Sequence, residues 1–377
     1  MPTISTRKHF DGIDVLRGIS IIAVVLHHGH IRMLINKVPV QHILPERLLN
    51  ILCWNGANGV TIFFAISGFL ITTTALRRWP TLDQLQLTSF YRLRFARIAP
   101  LLLALLAVLS IFHLLHFKDY TIPPDRASLP RALLAALTFH INWLESVRGY
   151  LPGSWDVLWS LSVEEVFYLF YPLLCRFIKI RPLLIALLLL FVAIGPFART
   201  ILTQNTLWAD YGYLSCMDAI ALGCLTALLA SAWKISTTLN WILRSLGIVF
   251  MLLVLAVKPL VSYLGIYKVG LDVTMLALGS CLVIFSLAQK NSPGTKFTAP
   301  IRWFGRHSYE IYLTHAFLVM SLTRIFLWLK LSVSWALLWY LIALVLSGLL
   351  GSLVAHYFSE PLNKKLRENL PTPIFVS

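Results

Sequence analysis

Charged residues are scarce in this chain, and their scarcity argues against an ordinary soluble protein. Only 13% of the 377 residues are Asp, Glu, Lys or Arg, where a soluble domain carries about a quarter. The deficit extends along the whole chain, 58% of the residues are hydrophobic, and the mean hydropathy is +0.76. The composition therefore predicts a polytopic membrane protein.

Acidic residues are scarcer than basic ones, and the formal net charge is +16. The basic residues sit in short loops between apolar runs, as membrane topology requires, so no nucleic-acid partner is predicted. The five cysteines show neither a disulfide framework nor a metal-ligand spacing. No metal site is predicted.

Ten apolar runs are long enough to cross a bilayer, which takes about 20 mostly apolar residues. They are 14–34, 57–76, 97–116, 160–178, 183–201, 213–231, 240–257, 270–288, 307–328 and 334–357. An eleventh run, 131–143, is too short to span and is expected to form an interfacial or re-entrant helix. The first run lacks a cleavage site of small residues and is expected to be a retained helix. The predicted fold is an all-α membrane bundle of about ten helices.

An even number of spans puts both termini on the same side of the membrane. The loops and tails on that side carry more Lys and Arg than those on the other, for example in 77–97, 176–181, 290–306 and 364–367. By the positive-inside rule, both termini are predicted to be cytoplasmic. Residues 1–365 are expected to form one domain, followed by a short cytoplasmic tail, 366–377.

The first run contains ionisable residues, which are costly at membrane depth and therefore raise a functional hypothesis. Arg17 and His28 are eleven residues apart, almost three helical turns, so they share a face at a separation of ~16 Å along the axis. Asp14 lies on that face and can pair with Arg17, whereas His27 points about 100° away. Alternatively, the arginine reaches the headgroups and His28 hydrogen-bonds a neighbouring helix.

The segment YRLRFARIAP, 91–100, puts Arg94 and Arg97 at the mouth of the third apolar run. Arg94 and Arg97 are three residues apart, so on a helix they lie on one side and can grip a phosphate. Basic residues at the inner end of a span are also what topology alone requires, so both readings stay open.

The segment WSLSVEEVFYLFYP, 159–172, puts Glu164 and Glu165 at the non-cytoplasmic entrance of the fourth run. Adjacent helical residues face about 100° apart, so only one carboxylate is expected to point easily into the bundle. Glu164 shares its face with Tyr168 and is the candidate for proton handling.

Two further segments place polar residues within apolar runs. FFAISGFLIT, 63–72, contains Ser67 and Gly68, small residues that are typical of close helix packing. GRHSYEIYLTHAF, 305–317, puts Tyr312 and His315 on one broad face, with Glu310 on another face near the inner interface. His315 is expected to hydrogen-bond a neighbouring helix.

Six segments occur in a fixed order along the chain: DVLRGISIIAVVLHH with its Arg-x10-His spacing, FFAISGFLIT, RLRFARI, WSLSVEEVFYLFYPL, GRHSYEIYLTHA and SEPLNK. In this order they resemble the acyltransferase-3 family, the integral-membrane O-acyltransferases of bacterial surface glycans. The resemblance runs from residue 10 to about 365.

The resemblance implies a multi-pass enzyme of the bacterial inner membrane. It would move an acyl group, expected to be acetyl, from cytoplasmic acyl-CoA to a hydroxyl of a carbohydrate such as O-antigen or exopolysaccharide. At the matching positions, the expected catalytic residues are His28 and Glu164, with His28 as general base or acyl-carrying nucleophile. Donor binding is assigned to Arg17, Arg94 and Arg97, and a supporting role to Asp14, Ser67, Tyr168, Tyr312 and His315. Acyl-CoA, the glycan and membrane lipid are the expected partners.

The acceptor and one other function class stay open. Members of this family also act on macrolides and other small molecules. A transporter or flippase of a glycan or lipid-linked intermediate would use intramembrane Arg, His and Glu as a substrate or proton path, although no internal repeat supports it. Some relatives continue into an extracytoplasmic esterase-like domain, which is not expected here.

Overall fold

Ten long helices dominate the computed structural model, which describes residues 10–290 and 293–368. These residues are all-helical, with 81% helix and no strand in the described ranges. The ten helices, each long and apolar enough to cross a membrane, are α1 Asp11–Ile35, α2 Gly56–Arg78, α3 Leu87–Leu114, α4 Leu158–Phe177, α5 Arg181–Thr200, α6 Tyr213–Ala232, α7 Thr237–Ala256, α8 Leu271–Gln289, α9 Ser308–Trp328 and α10 Ala336–Val354. Each coincides with one predicted run, so the ten-helix membrane fold is confirmed.

Short helices connect the long ones. They are Glu46–Cys53, Leu129–Leu137, Ile141–Arg148, Gly153–Asp156, Thr206–Tyr211, Lys258–Tyr263, Ala299–Arg306 and Glu360–Arg367. The apolar stretch 131–143 is divided between two of these, with a break at residues 138–140.

Glu145, on the short helix Ile141–Arg148, is fully buried and accepts a hydrogen bond from the backbone N–H of Leu151 (3.0 Å). Burial raises the pKa of Glu145 well above its ordinary value, which favours its neutral form.

The two ends of the bundle can be named from their contacts. Helices α1, α3 and α9 begin at the same end, where Arg17 contacts Ser308; we call this the Arg17 end. They finish at the opposite end, the Arg32 end, where Arg324 contacts Asp119 just beyond α3. The cytoplasmic placement of the termini and the single-domain boundary stay predictions. Of the predicted tail, residues 369–377 lie outside the described part of the chain.

Helix α3 corrects one boundary drawn from the sequence. The apolar run begins at residue 97, but the helix begins at Leu87, so all three arginines of RLRFAR, Arg92, Arg94 and Arg97, lie inside it. Phe90, Leu93 and Ala96 are buried on one side of this first part. Helix formation continues through the polar residues because the bundle supplies partners for them. As a result, Arg94 lies about 10 Å along α3 from its first residue, at 1.5 Å per residue.

Helices α2 and α6 pack closely through two glycines. A methyl group on Gly68 would overlap the carbonyl oxygen of Ile220, and one on Gly223 would overlap that of Ala65. Small residues let helix backbones approach each other in this way. The sequence-based interpretation of the Ser67-Gly68 pair as a packing site is confirmed for the glycine.

A buried ion pair ties α5 to α6 and α8. Arg199 Nη2 lies 2.9 Å from Asp218 Oδ2, and both side chains are almost fully buried. Thr274 Oγ1 donates to the same carboxylate oxygen (2.6 Å), and Arg199 Nε donates to the carbonyl oxygen of Gly270 (3.0 Å). Removing one partner from such a pair costs about 3–5 kcal/mol, because a charge stays buried without compensation.

The α2–α6 contact yields a stability prediction. Gly223→Ala should lower the free energy of unfolding by about 1–3 kcal/mol, because the added methyl meets backbone atoms that cannot move aside. Thermal unfolding of the purified protein in detergent, followed by circular dichroism, measures the change. Gly29→Ala is the matched control, since its methyl would meet only the Tyr340 ring at an ordinary distance of 3.6 Å. Equal melting temperatures for the two variants would contradict the close packing.

Candidate active site

Arg17 is held near the start of α1 by contacts within and between helices. Its Nη1 lies 3.6 Å from Asp14 Oδ1, one turn earlier, and its Nη2 donates to Ser308 Oγ on α9 (2.9 Å). Arg306 Nε also reaches Asp14 Oδ2 (3.3 Å). The guanidinium of Arg17 thus joins α1 to the beginning of α9 instead of reaching outward.

Two of the three arginines of α3, Arg94 and Arg97, meet carboxylates from two other helices. Arg94 Nη2 lies 2.9 Å from Glu165 Oε1 and 3.9 Å from Glu164 Oε1, both on α4. Arg97 Nη1 lies 3.1 Å from Glu310 Oε1 on α9. These contacts hold α3, α4 and α9 together around the interior.

Tyrosines and a serine complete this polar layer. The Arg94 guanidinium lies over the Tyr168 ring, 3.7 Å from its centroid, in a cation–π contact. Tyr168 Oη donates to Glu164 Oε1 (2.5 Å), and Ser67 Oγ of α2 hydrogen-bonds with both groups. The Arg97 guanidinium lies over Tyr309, 4.7 Å from its ring centroid. Four helices therefore contribute to one network.

The network corrects two expectations drawn from the sequence. Arg94 and Glu164 were assigned to opposite entrances of the bundle, but they are 3.9 Å apart because each lies well inside its helix. Both carboxylates of the adjacent pair reach Arg94, since the long guanidinium spans the angle between them. Glu310, in the first turn of α9, is buried against Arg97.

Each of the three arginines in this layer is paired with a carboxylate, so the layer is less cationic than the arginine spacing alone predicts. Their side chains nevertheless keep 20–28% of their accessible surface, although they lie between packed helices. Glu164 keeps 26%. In addition, the buried Nε–H of Arg94 has no hydrogen-bond partner. The layer is therefore partly accessible, and it contains one buried donor without a partner.

Further toward the Arg32 end, Tyr312 bridges α9 and α4. Its Oη lies 2.6 Å from Ser160 Oγ and also donates to the carbonyl oxygen of Val157 (3.1 Å). Its ring centroid is 5.9 Å from that of His315, one turn further along α9. Polar groups therefore continue from the arginine layer toward two histidines.

His28 of α1 and His315 of α9 are in direct contact. His28 Nδ1 lies 3.0 Å from His315 Nε2, and the ring centroids are 4.9 Å apart. His27 turns to the carbonyl oxygen of Cys53 (2.9 Å), as its helical position predicts. The expectation of an interhelical hydrogen bond was made for each histidine separately; the sequence offered no sign that they are each other's partners.

The partners of this pair fix its tautomers. His315 Nδ1 lies 2.7 Å from the carbonyl oxygen of Tyr312 and 3.1 Å from that of Ile311. Carbonyl oxygens only accept, so this Nδ1 carries a hydrogen and His315 Nε2 is left as an acceptor. His28 Nδ1 must then be the donor, which agrees with its second contact, the carbonyl oxygen of Val24 (3.0 Å). The lone pair of His28 is consequently on Nε2, where it can accept a proton or attack a carbonyl carbon.

Comparisons with known proteins bear on this geometry. A family model described as an acyltransferase domain matches residues 10–357. The O-acetyltransferase OatA of Staphylococcus aureus is 22% identical over 378 aligned residues, which cover 95% of this chain and 58% of that protein. The peptidoglycan O-acetyltransferase OatA of Listeria monocytogenes is 26% identical over 334 aligned residues, which cover 82% of this chain and 49% of that protein. The chain thus spans about half the length of these curated relatives. No solved structure matches it.

The tautomer of His28 can be measured directly. In protein labelled with ¹⁵N-histidine and placed in lipid nanodiscs, we expect the His28 signals to show a protonated Nδ1 and an unprotonated Nε2 at neutral pH. Solid-state NMR distinguishes the two nitrogens by chemical shift, and subtraction of the His28→Gln spectrum assigns them. A hydrogen on Nε2 would contradict the deduction from the carbonyl partners.

Proposed function

Since the chain belongs to the acyltransferase-3 family, we propose that it is a membrane-bound O-acyltransferase that moves an acetyl group from acetyl-CoA to a hydroxyl of a cell-envelope glycan. The observation that carries the proposal is the contact of His28 with His315, which leaves His28 Nε2 free in the interior of the bundle. The family membership supplies the reaction class, and the chain's own residues supply the proposed roles.

We assign the donor to the Arg17 end. The positive-inside prediction puts this end in the cytoplasm, where acyl-CoA is made. His28 lies ~16 Å along α1 from Arg17, so a donor arm entering between the helices would carry its thioester toward Nε2. Arg94 and Arg97 border this route, and the accessible quarter of each side chain can pair with a phosphate oxygen of the donor.

His28 then has one of two roles. As general base, its Nε2 takes the proton of the acceptor hydroxyl while the hydroxyl oxygen attacks the thioester carbon; the C–S bond breaks, and the proton passes to the CoA thiolate. As nucleophile, Nε2 attacks that carbon first, the C–S bond breaks and CoA leaves as a thiolate. The acceptor hydroxyl oxygen then attacks the acyl-imidazole, the C–N bond breaks, and the hydroxyl proton passes through Nε2 to the thiolate. In both cases the neutral His315 accepts the Nδ1–H of His28 and supports the positive charge that develops on its ring.

Glu164 is proposed to act with Ser67 and Tyr168 rather than alone. The three groups form one hydrogen-bonded set that also faces Arg94. Within this set the carboxylate can orient a substrate hydroxyl or take up a proton, which is the catalytic role predicted for it from the sequence. The exposed quarter of its side chain is what makes such a contact available.

The acceptor is proposed to be a glycan of the bacterial envelope, with the enzyme in the plasma membrane. Peptidoglycan is one specific candidate, because one relative is named a peptidoglycan O-acetyltransferase. O-antigen, exopolysaccharide and small hydroxylated molecules are the alternatives. A transporter or flippase would move such a molecule without forming an ester, so formation of an acetylated product separates the two function classes.

Loss of His28 should abolish most of the transfer. In proteoliposomes supplied with radiolabelled acetyl-CoA and an envelope-glycan acceptor, we expect His28→Gln to lower kcat by about 100-fold or more, the usual contribution of a positioned acid–base group. His27→Gln is the control, because this neighbouring histidine bonds the Cys53 carbonyl instead. Near wild-type turnover in a correctly folded His28→Gln protein would reject the catalytic assignment.

Donor binding can be tested by changing each partner of the Arg94–Glu165 ion pair separately. Arg94→Gln should raise the KM for acetyl-CoA about tenfold, through loss of a charged hydrogen bond. Glu165→Gln keeps a hydrogen-bond partner for Arg94 but removes the competing charge, so it should leave that KM unchanged or lower it. Steady-state kinetics at varied donor concentration measures both, and an increase of equal size in both variants would indicate a structural role for the pair.

A further inference from the structure

A second charged site lies at the Arg32 end of the bundle, separate from the arginine layer. It is a cavity of ≈ 250 Å³ between α1, α9 and the loop that follows α3. Three basic side chains line it against one acidic one: Arg32, Lys118 and Arg324 against Asp119. The excess of positive charge predicts a negatively charged occupant.

The cavity lies on the far side of the histidine pair from the arginine layer. Arg32 follows His28 by one helical turn on α1, a rise of about 6 Å, and Arg324 follows His315 on the same side of that pair along α9. Met320 and Thr323, both buried, also line the cavity. A molecule held here would approach His28 from the end opposite to the proposed donor.

The basic side chains are arranged for binding and not merely exposed at a helix end. Arg324 Nε donates to Asp119 Oδ2 (2.5 Å), which fixes the guanidinium at the rim, while 47% of the Arg324 side chain stays accessible. Arg32 turns inward, against Gly153, where a methyl group would overlap its guanidinium. The absence of a side chain at Gly153 therefore keeps room for this inward arginine.

We propose that this cavity binds an oxyanion group, carboxylate or phosphate, of the acceptor. The inference rests on the proposed transfer reaction, because it assigns the second substrate of that reaction to the second cationic site. Planar guanidiniums match the geometry of carboxylates and phosphates, and two arginines from different helices would orient the acceptor as well as attract it. The acceptor is then an acidic glycan or a phosphorylated one, with its reacting hydroxyl directed toward His28 Nε2.

Binding is tested apart from turnover, so failure of this inference is distinct from failure of the transferase proposal. The probes are cellobiose, cellobiouronic acid and cellobiose 6-phosphate, titrated calorimetrically into the full chain in phosphatidylcholine nanodiscs. We expect at least one of the two charged sugars to bind about tenfold tighter than cellobiose, and Arg324→Gln to remove that preference. Lys330→Gln removes one positive charge at the same end but outside the cavity, and it should keep the preference.

A second variant distinguishes loss of the site from misfolding, because it is expected to change the affinity in the opposite direction. Asp119→Asn removes the one carboxylate among the described residues that line the cavity. This change should tighten binding of the preferred charged sugar, whereas a merely structural role would weaken binding or leave it unchanged. Equal binding of all three sugars, or a preference that survives Arg324→Gln, would overturn the proposal.

The same titration in nanodiscs that contain phosphatidylglycerol distinguishes the acceptor from a lipid headgroup. Unchanged affinity for the charged sugar supports an acceptor site. Loss of binding when anionic lipid is present would assign the cavity to the headgroup and overturn the acceptor assignment.

Discussion

The cost of burying charge among apolar helices governs the interior of this protein. An ion inside a bundle needs a partner of opposite sign and further hydrogen bonds. Arg17, Arg94 and Arg97 meet this requirement with residues from α1, α4 and α9. The partners come from different parts of the chain, so satisfying the charges also fixes how these helices sit against one another. Because α1 and α9 are tied at the Arg17 end, His28 and His315 meet further along the same two helices.

The histidine contact links this arrangement to chemistry. Two backbone carbonyls of α9 orient His315, and His315 in turn orients His28, so the tautomer of His28 follows from carbonyl groups that only accept hydrogen bonds. A histidine free to rotate would present either nitrogen. Here Nδ1 is occupied by His315, and Nε2 lies between two separate charged regions, as the proposed transfer between two substrates would use it.

Sequence patterns predicted the helices and the faces of single helices, but not the contacts between them. Apolar run lengths predicted all ten spans, and the period of 3.6 residues separated His27 from His28 correctly. The depth of Arg94 was wrong because polar residues at the start of α3 look like a loop when read without their partners. Glu310 and Glu165 were missed as ion-pair partners, and the His28–His315 contact joins residues 287 positions apart, which helical periodicity cannot reveal.

In the proposed mechanism, the donor brings its reacting carbonyl carbon to His28 Nε2. Cryo-electron microscopy of the full chain in nanodiscs with a non-hydrolysable thioether analogue of acetyl-CoA tests it most directly. The predicted result has the phosphates toward the Arg17 end and the carbonyl carbon about 3–3.5 Å from Nε2, the distance of a near-attack geometry. An analogue whose carbonyl lies away from His28, or enters from the Arg32 end, would contradict it.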